Sequence, residues 1–187
     1  MRFYRLHALG SLLLLSFTLT ANIEARTGAL KLRGQGTRDH LTAEEADRVR
    51  DAQSLDKRTE VFIKAAERRM QALFDPQAAT SKQAQKDVEK YGAFPTGTRA
   101  ELLSDLAKIF DEAITNVDDV NARNANNPLI AKSLHRLAEV SKTFIAQLTP
   151  LRDQNLSDAE REPLEQAIEN MQSILEAADK LPPATKK

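Results

Sequence analysis

Between Leu103 and Val120 the apolar side chains return at intervals of three and four, at Leu103, Leu106, Phe110, Ala113, Val117 and Val120. That rhythm lays one apolar stripe along an α-helix, whereas a strand would alternate every second residue. The same spacing recurs in three other places. Leu55, Phe62, Ala66, Met70 and Leu73 share one face, as do Ile130, Leu134, Leu137, Ser141, Phe144 and Leu148, and then Leu164, Ile168, Met171, Leu175 and Ala178. The four runs cover 55–73, 103–120, 130–148 and 164–181, which at 1.5 Å per residue makes four cylinders each ~27–28 Å long. Cylinders of matched length, each with one apolar seam, cover those seams by packing on each other. The expected fold is therefore all-α, an antiparallel four-helix bundle with an additional N-terminal helix. Short links near 121–129 and 149–163 favour antiparallel neighbours. A repeat close to 3.5 implies left-handed, coiled-coil-like packing at shallow angles.

Glycine and proline mark the boundaries. After the first 25 residues glycines stand only at 28, 34, 36, 92 and 97, and prolines at 76, 95, 128, 150, 163, 182 and 183. The runs between them are rich in Ala, Leu, Glu, Lys, Arg and Gln, all good helix formers. Thr42 with Glu45 and Thr98 with Glu101 have capping-box spacing, in which each side chain satisfies a backbone donor of the other residue. Asn127-Pro128 supplies a capping residue followed by proline at the first helical position. Ser54 marks a break between the N-terminal helix and the first long one, which Asp75-Pro76 stops. Pro150 kinks or ends the third long helix. The last starts between Ser157 and Pro163, with Ser157 and Glu160 favouring the earlier start, and ends at Leu181. Residues 75–99 are too long for a bare connection inside a compact domain; SKQAQKDVEKY within them could form a short helix, with Tyr91 and Phe94 folding back.

The N-terminus carries a different pattern. Arg2 and Arg5 precede an apolar run from Leu6 to Leu19, interrupted by His7, Gly10 and Ser11. At about 14 residues it is short of the ~20 needed to span a bilayer. A basic start, a short apolar middle and a small residue at the end are the marks of a secretory signal peptide over 1–25. Cleavage after Ala25 leaves Ile23 at the third position before the cut; Ala21 is the alternative. The expected product is exported, periplasmic or extracellular, and organised as a basic arm (26–40), a helical bundle domain (41–181) and a disordered tail (182–187).

Removing 25 residues from 187 leaves 162, with 25 basic side chains against 26 acidic ones, a net charge of −1. That balance argues against a nucleic-acid partner, whose binding surface needs a strong basic excess. The chain has no cysteine, hence no disulfide of its own, so stability must come from a buried core; a chain of this length buries ~70% of its unfolded surface. Arg26, Lys31, Arg33 and Arg38 in the 26–40 arm allow a weak contact with an anionic surface, although four charges over fifteen residues make a thin field at physiological salt.

The segment EADRVRDAQSLDKRTEVFIKAAERR, residues 45–69, resembles a stretch of uncharacterised exported helical proteins of bacteria. The resemblance covers about 25 residues and holds no catalytic motif. It implies export from a bacterial cell and no activity.

The residues that could carry chemistry are few and scattered. Neither His40 nor His135 is preceded at three positions by an acid, since Thr37 and Lys132 stand there, so the Glu-x-x-His pairs of di-iron bundles are missing. His135 and Glu139 could face one metal but would fill only half a four-coordinate site, and His135 reads as a boundary residue. Met70 and Met171 fall on seams, where methionine fills a core rather than ligating haem. No Gly-x-Ser-x-Gly elbow and no Walker lysine occur. Glu44-Glu45, Asp111-Glu112 and Asp118-Asp119 read as solvated helix faces, and ERRMQ and REPLEQ as mixed-charge surfaces. The expectation is a non-enzymatic binding or scaffolding protein with no catalytic residue, no metal site and no cofactor, acting on a protein partner. The alternative is a bundle carrying haem, a metal or a small apolar ligand in its interior.

Overall fold

A computed structural model of the chain describes residues 39–75 and 77–181. The expected signal peptide, arm residues 26–38, Pro76 and the 182–187 tail lie outside the described residues. Within them the secondary structure is helical, with no strand. The helices are α1 (Ala43–Asp51), α2 (Leu55–Phe74), α3 (Lys82–Tyr91), α4 (Arg99–Arg123), α5 (Pro128–Leu148) and α6 (Asp158–Asp179), with 3-10 segments at Ala78–Thr80 and Thr149–Asp153.

Helix ends follow the local chemistry. Both side chains of each capping box engage at the starts of α1 and α4: Thr42 accepts from the Glu45 amide and Thr98 from the Glu101 amide, while each glutamate accepts from its threonine's backbone N–H. Asn127 caps α5 through the Leu129 amide at 3.0 Å, one residue after which Pro128 opens the helix. For α6 the earlier start prevails. The Glu160 carboxylate takes the Ser157 backbone N–H at 2.9 Å, and Pro163 rides inside the helix. α5 gives way to a 3-10 segment before Pro150, and α6 stops at Asp179, two residues short of the sequence expectation.

The apolar seams meet in one continuous cluster. Phe62, Ala66 and Met70 of α2, Leu103, Leu106, Phe110 and Ala113 of α4, Leu137, Phe144 and Leu148 of α5, and Leu164, Ile168 and Met171 of α6 are all buried in it. Met70 and Met171 are thus core side chains. Phe110 and Phe144 meet edge to face, 6.1 Å between ring centres and 89° between planes, the geometry that opposes a ring's positive edge to its partner's negative face. Helix α4 packs chiefly on α6 and α2, and α5 on α6 and α2. The short 124–127 link suggests that α4 and α5 should be primary neighbours, yet their mutual contact is the smaller one. One directional contact draws α4 towards α6 instead: the buried Asn170 side-chain amide donates to the Ala107 carbonyl at 2.9 Å. None of the described helices is long and apolar enough to cross a membrane.

Two ion pairs tie helix ends together. Arg99 Nε lies 2.6 Å from Glu160 Oε1, joining the first turns of α4 and α6, and Lys132 Nζ lies 2.7 Å from Asp56 Oδ2, joining α5 to α2. The hydrogen bond from Arg99, then those from Ser157, hold the Glu160 carboxyl down at about 2. Asp56 is likewise lowered to about 2, by Lys132 first and Ser54 second.

Truncating Phe110 to Ala removes a fully buried ring and leaves a cavity, so Phe110→Ala should lower the urea-unfolding free energy by about 3–5 kcal/mol. Both lowered carboxyls are protonated more easily in the unfolded chain than in the folded one. Their contribution is therefore complete above the ordinary carboxylate range of 3.8–4.5 and is lost as pH falls towards about 2. Melting temperatures followed by circular dichroism should drop across that window, and less steeply in Glu160→Gln.

Candidate functional site

Helix α2 carries two consecutive arginines, Arg68 and Arg69, that are only 1% and 2% exposed, and α1 places Glu45 between them with no exposed surface at all. Placement follows from helical geometry. Arg69 stands seven residues after Phe62 and three after Ala66, on the seam itself, so its guanidinium enters the interior. Glu45 is the third residue of α1, held there because its Oε2 also accepts the Thr42 backbone N–H at 2.9 Å.

Around that carboxylate the hydrogen bonding is dense. Arg69 Nη1 donates to both Glu45 oxygens, at 2.7 and 2.6 Å, and Arg68 Nη1 donates to Oε1. Arg69 Nη2 reaches the His40 carbonyl at 2.6 Å. Arg68 also donates from Nη1 and Nη2 to the end of α3 and the chain after it, at the carbonyls of Tyr91 (2.8 Å), Gly92 (2.9 Å) and Ala93 (2.7 Å). Asp105 of α4, also buried, approaches Arg69 Nε to 3.8 Å and brings the cluster to two cations and two anions. Gly92 is required where the chain turns here. Its φ is +72°, a left-handed conformation that side-chain-bearing residues rarely adopt.

Such a cluster is a structural clamp. Desolvating its ions costs about as much as their attraction returns, so its presence adds little net stability, while losing one partner strands a buried charge. What it provides is position. One carboxylate fixes α1 on α2, and one guanidinium fixes the end of α3 on the same helix. Tyr91 completes the junction, with the Arg48 guanidinium 5.1 Å from its ring centre, the Lys90 ammonium at 5.2 Å, and Lys64 and Arg68 each at 6.0 Å.

Outside the clamp, α1, α2 and α3 wall a surface cleft of about 720 Å³. Glu44, Asp47, Asp51, Glu60 and Glu89 set five carboxylates along it against the three cations of Arg48, Lys57 and Lys90, and Tyr91 supplies an aromatic wall. It holds carboxylates, ammonium groups and one ring in reach of a bound segment. Among the described residues, no histidine lines it.

Several sequence expectations meet corrections here. ERRMQ reads as a mixed-charge surface, yet Arg68, Arg69 and Met70 within it are buried. Glu44-Glu45 reads as a solvated pair, yet only Glu44 is exposed. The available signal was Arg69 at seam spacing, together with a capping-box glutamate one helix earlier. Asp118-Asp119 is exposed as expected, while Glu112 is half-buried and lies 2.7 Å from His40 Nε2, fastening the start of the described chain to α4. His135 and Glu139 do share a place, a smaller cleft of about 270 Å³ between α2 and α5 with Asp56, Glu60, Lys132 and Arg136. Glu139 pairs there with Arg136 at 3.1 Å and Asp56 with Lys132. Among the described residues, no three His, Cys, Asp or Glu side chains are grouped as a metal would need.

Replacing Glu45 by Gln removes the charge both guanidiniums face, and Glu45→Gln should cost about 3–5 kcal/mol in chemical denaturation. The neighbouring Glu44→Gln, on an exposed side chain, should stay within about 0.5 kcal/mol of the parent. Compared with protein families, curated proteins and solved structures, the chain matches none.

Proposed function

We propose that this chain is an exported, non-enzymatic helical protein that acts by binding or scaffolding a protein partner, in a bacterial periplasm or outside the cell. Its framework in this reading is an antiparallel four-helix bundle of α2, α4, α5 and α6, with α1 as the additional N-terminal helix. The observation that carries the binding role is the cleft between α1, α2 and α3. Its walls are held in register from beneath by the Glu45–Arg68–Arg69 clamp, an arrangement suited to presenting a fixed surface. With carboxylates outnumbering cations along it, the favoured partner segment is basic, and Tyr91 adds an aromatic contact of the kind enriched in protein interfaces. The export half rests on the sequence alone: a positive start, an apolar run too short to span and small residues after it, over residues 1–25.

One experiment addresses both halves. A photo-crosslinking residue at Gln53, on the cleft, is compared in cells with the same residue at Asp118, on the exposed face of α4. Export predicts recovery in the envelope or medium with an N-terminus beginning near Arg26. Binding predicts one recurrent protein adduct from position 53, none from 118, and loss of the adduct in Asp51→Lys. Protein retained in the cytosol with Met1 intact would overturn the export half. Equal labelling from both positions would overturn the binding half.

A further inference from the structure

Helix α3 buries less apolar side chain against the core than the other α-helices. Its one buried side chain is Ala84; Val88 remains 45% exposed, and Tyr91 is half-buried. By contrast α1, which is a residue shorter, packs Ala46 and Val49 against the core and is preceded by the buried Leu41. A ten-residue helix has little stability of its own in water, and burying one alanine contributes well under the ~1.5–3 kcal/mol of a large apolar side chain.

Polar contacts make up the remainder. Lys64 Nζ of α2 lies 2.7 Å from Asp87 Oδ2. Burial pushes the Asp87 carboxyl up, and the hydrogen bond and charge of Lys64, joined by the Gln83 hydrogen bond and the Arg68 charge, more than offset it, leaving it below its ordinary value. The Tyr91 carbonyl accepts from Thr42 Oγ1 at 3.0 Å and from Arg68, and the Lys90 carbonyl accepts from Arg48. The cations around the Tyr91 ring complete the attachment. Immediately afterwards the chain is held differently. Gly92 is buried in its left-handed turn, and Arg68 grips the carbonyls of Gly92 and Ala93.

We infer that residues 77–91, the Ala78–Thr80 segment and α3, form a flap that opens as a unit about the Gly92 turn while α1, α2 and α4–α6 remain folded. Opening breaks the Lys64–Asp87 pair, the bonds to the Lys90 and Tyr91 carbonyls and the ring contacts; the buried Arg68 gives up only its bond to Tyr91 and keeps Glu45 and the carbonyls of Gly92 and Ala93. The buried side chains it exposes are the two alanines Ala78 and Ala84, a small apolar area, which is why it need not spread to the core. Lys90, Glu89 and Tyr91 form one wall of the α1–α2–α3 cleft, so the flap sets the width of the binding surface proposed above. In that respect the inference rests on that reading.

Hydrogen exchange followed by mass spectrometry on the full chain needs no partner and so tests the flap by itself. The amides of 83–91 should exchange at least about a hundredfold faster than those of α2 and α4–α6, in keeping with local rather than global opening. Lys64→Met should speed exchange in 83–91 about tenfold further while leaving the α4–α6 rates and the urea midpoint unchanged; Asp87→Asn is the second variant, removing the same pair from the flap side. Exchange of 83–91 at the rate of α2, or a rise in all helices together in both variants, would overturn the flap. A flap that opens without any adduct at position 53 would leave this inference standing and remove the binding reading alone.

Discussion

Removal of four apolar seams from water carries this fold, and without a cysteine in the chain no covalent link shares the task. The seams converge on Phe110, Phe144, Leu103, Leu164, Ile168 and Met171, where side chains from α4, α5 and α6 close around the same interior. Hydrophobic burial is non-directional, so it dictates that these helices come together without dictating which touches which. Partner choice is set by finer features. The buried amide of Asn170, bonded to the Ala107 carbonyl, ties α6 to α4, and α4 packs on α6 more than on α5.

On one side of that core the molecule departs from simple patterning. Two guanidiniums and two carboxylates are buried where apolar side chains could have packed. Their worth lies in direction: Glu45 can satisfy Arg68, Arg69 and the Thr42 amide at once only with α1 in one place. The same Arg68 holds the turn after α3. A chain with a shallow apolar face on α1 and almost none on α3 thus obtains two positioned helices from hydrogen bonds rather than area. The difference between them, some core contact for α1 and little for α3, separates a fixed wall of the cleft from a movable one.

Much of this architecture is legible in the residues. Stripe spacing locates α2, α4, α5 and α6 to within a few positions, and the threonine–glutamate boxes mark the first turns of α1 and α4 because capping is a local bargain between neighbours three apart. Even the ambiguous start of α6 is settled by local chemistry, as the Glu160 carboxylate bonds the Ser157 amide and the helix absorbs Pro163 downstream. The short helix within 75–99 is visible as SKQAQKDVEKY, with Ser81 capping it. The candidate site is not legible in the same way. Arg68 and Arg69 look like solvated cations because burial of charge depends on a counter-ion 23 and 24 residues away on another helix, and no periodicity encodes that meeting.

What the sequence by itself determined is the set of helices, their ends and the face each must hide, since those follow from interactions between residues three or four apart. Tertiary structure alone decided that α4 leans on α6 rather than on its chain neighbour, that Glu45 and two arginines share a dry interior, and that α1, α2 and α3 enclose a cleft. These depend on side chains from distant segments competing for the same space and the same hydrogen bonds. That competition is resolved only when the whole chain is packed.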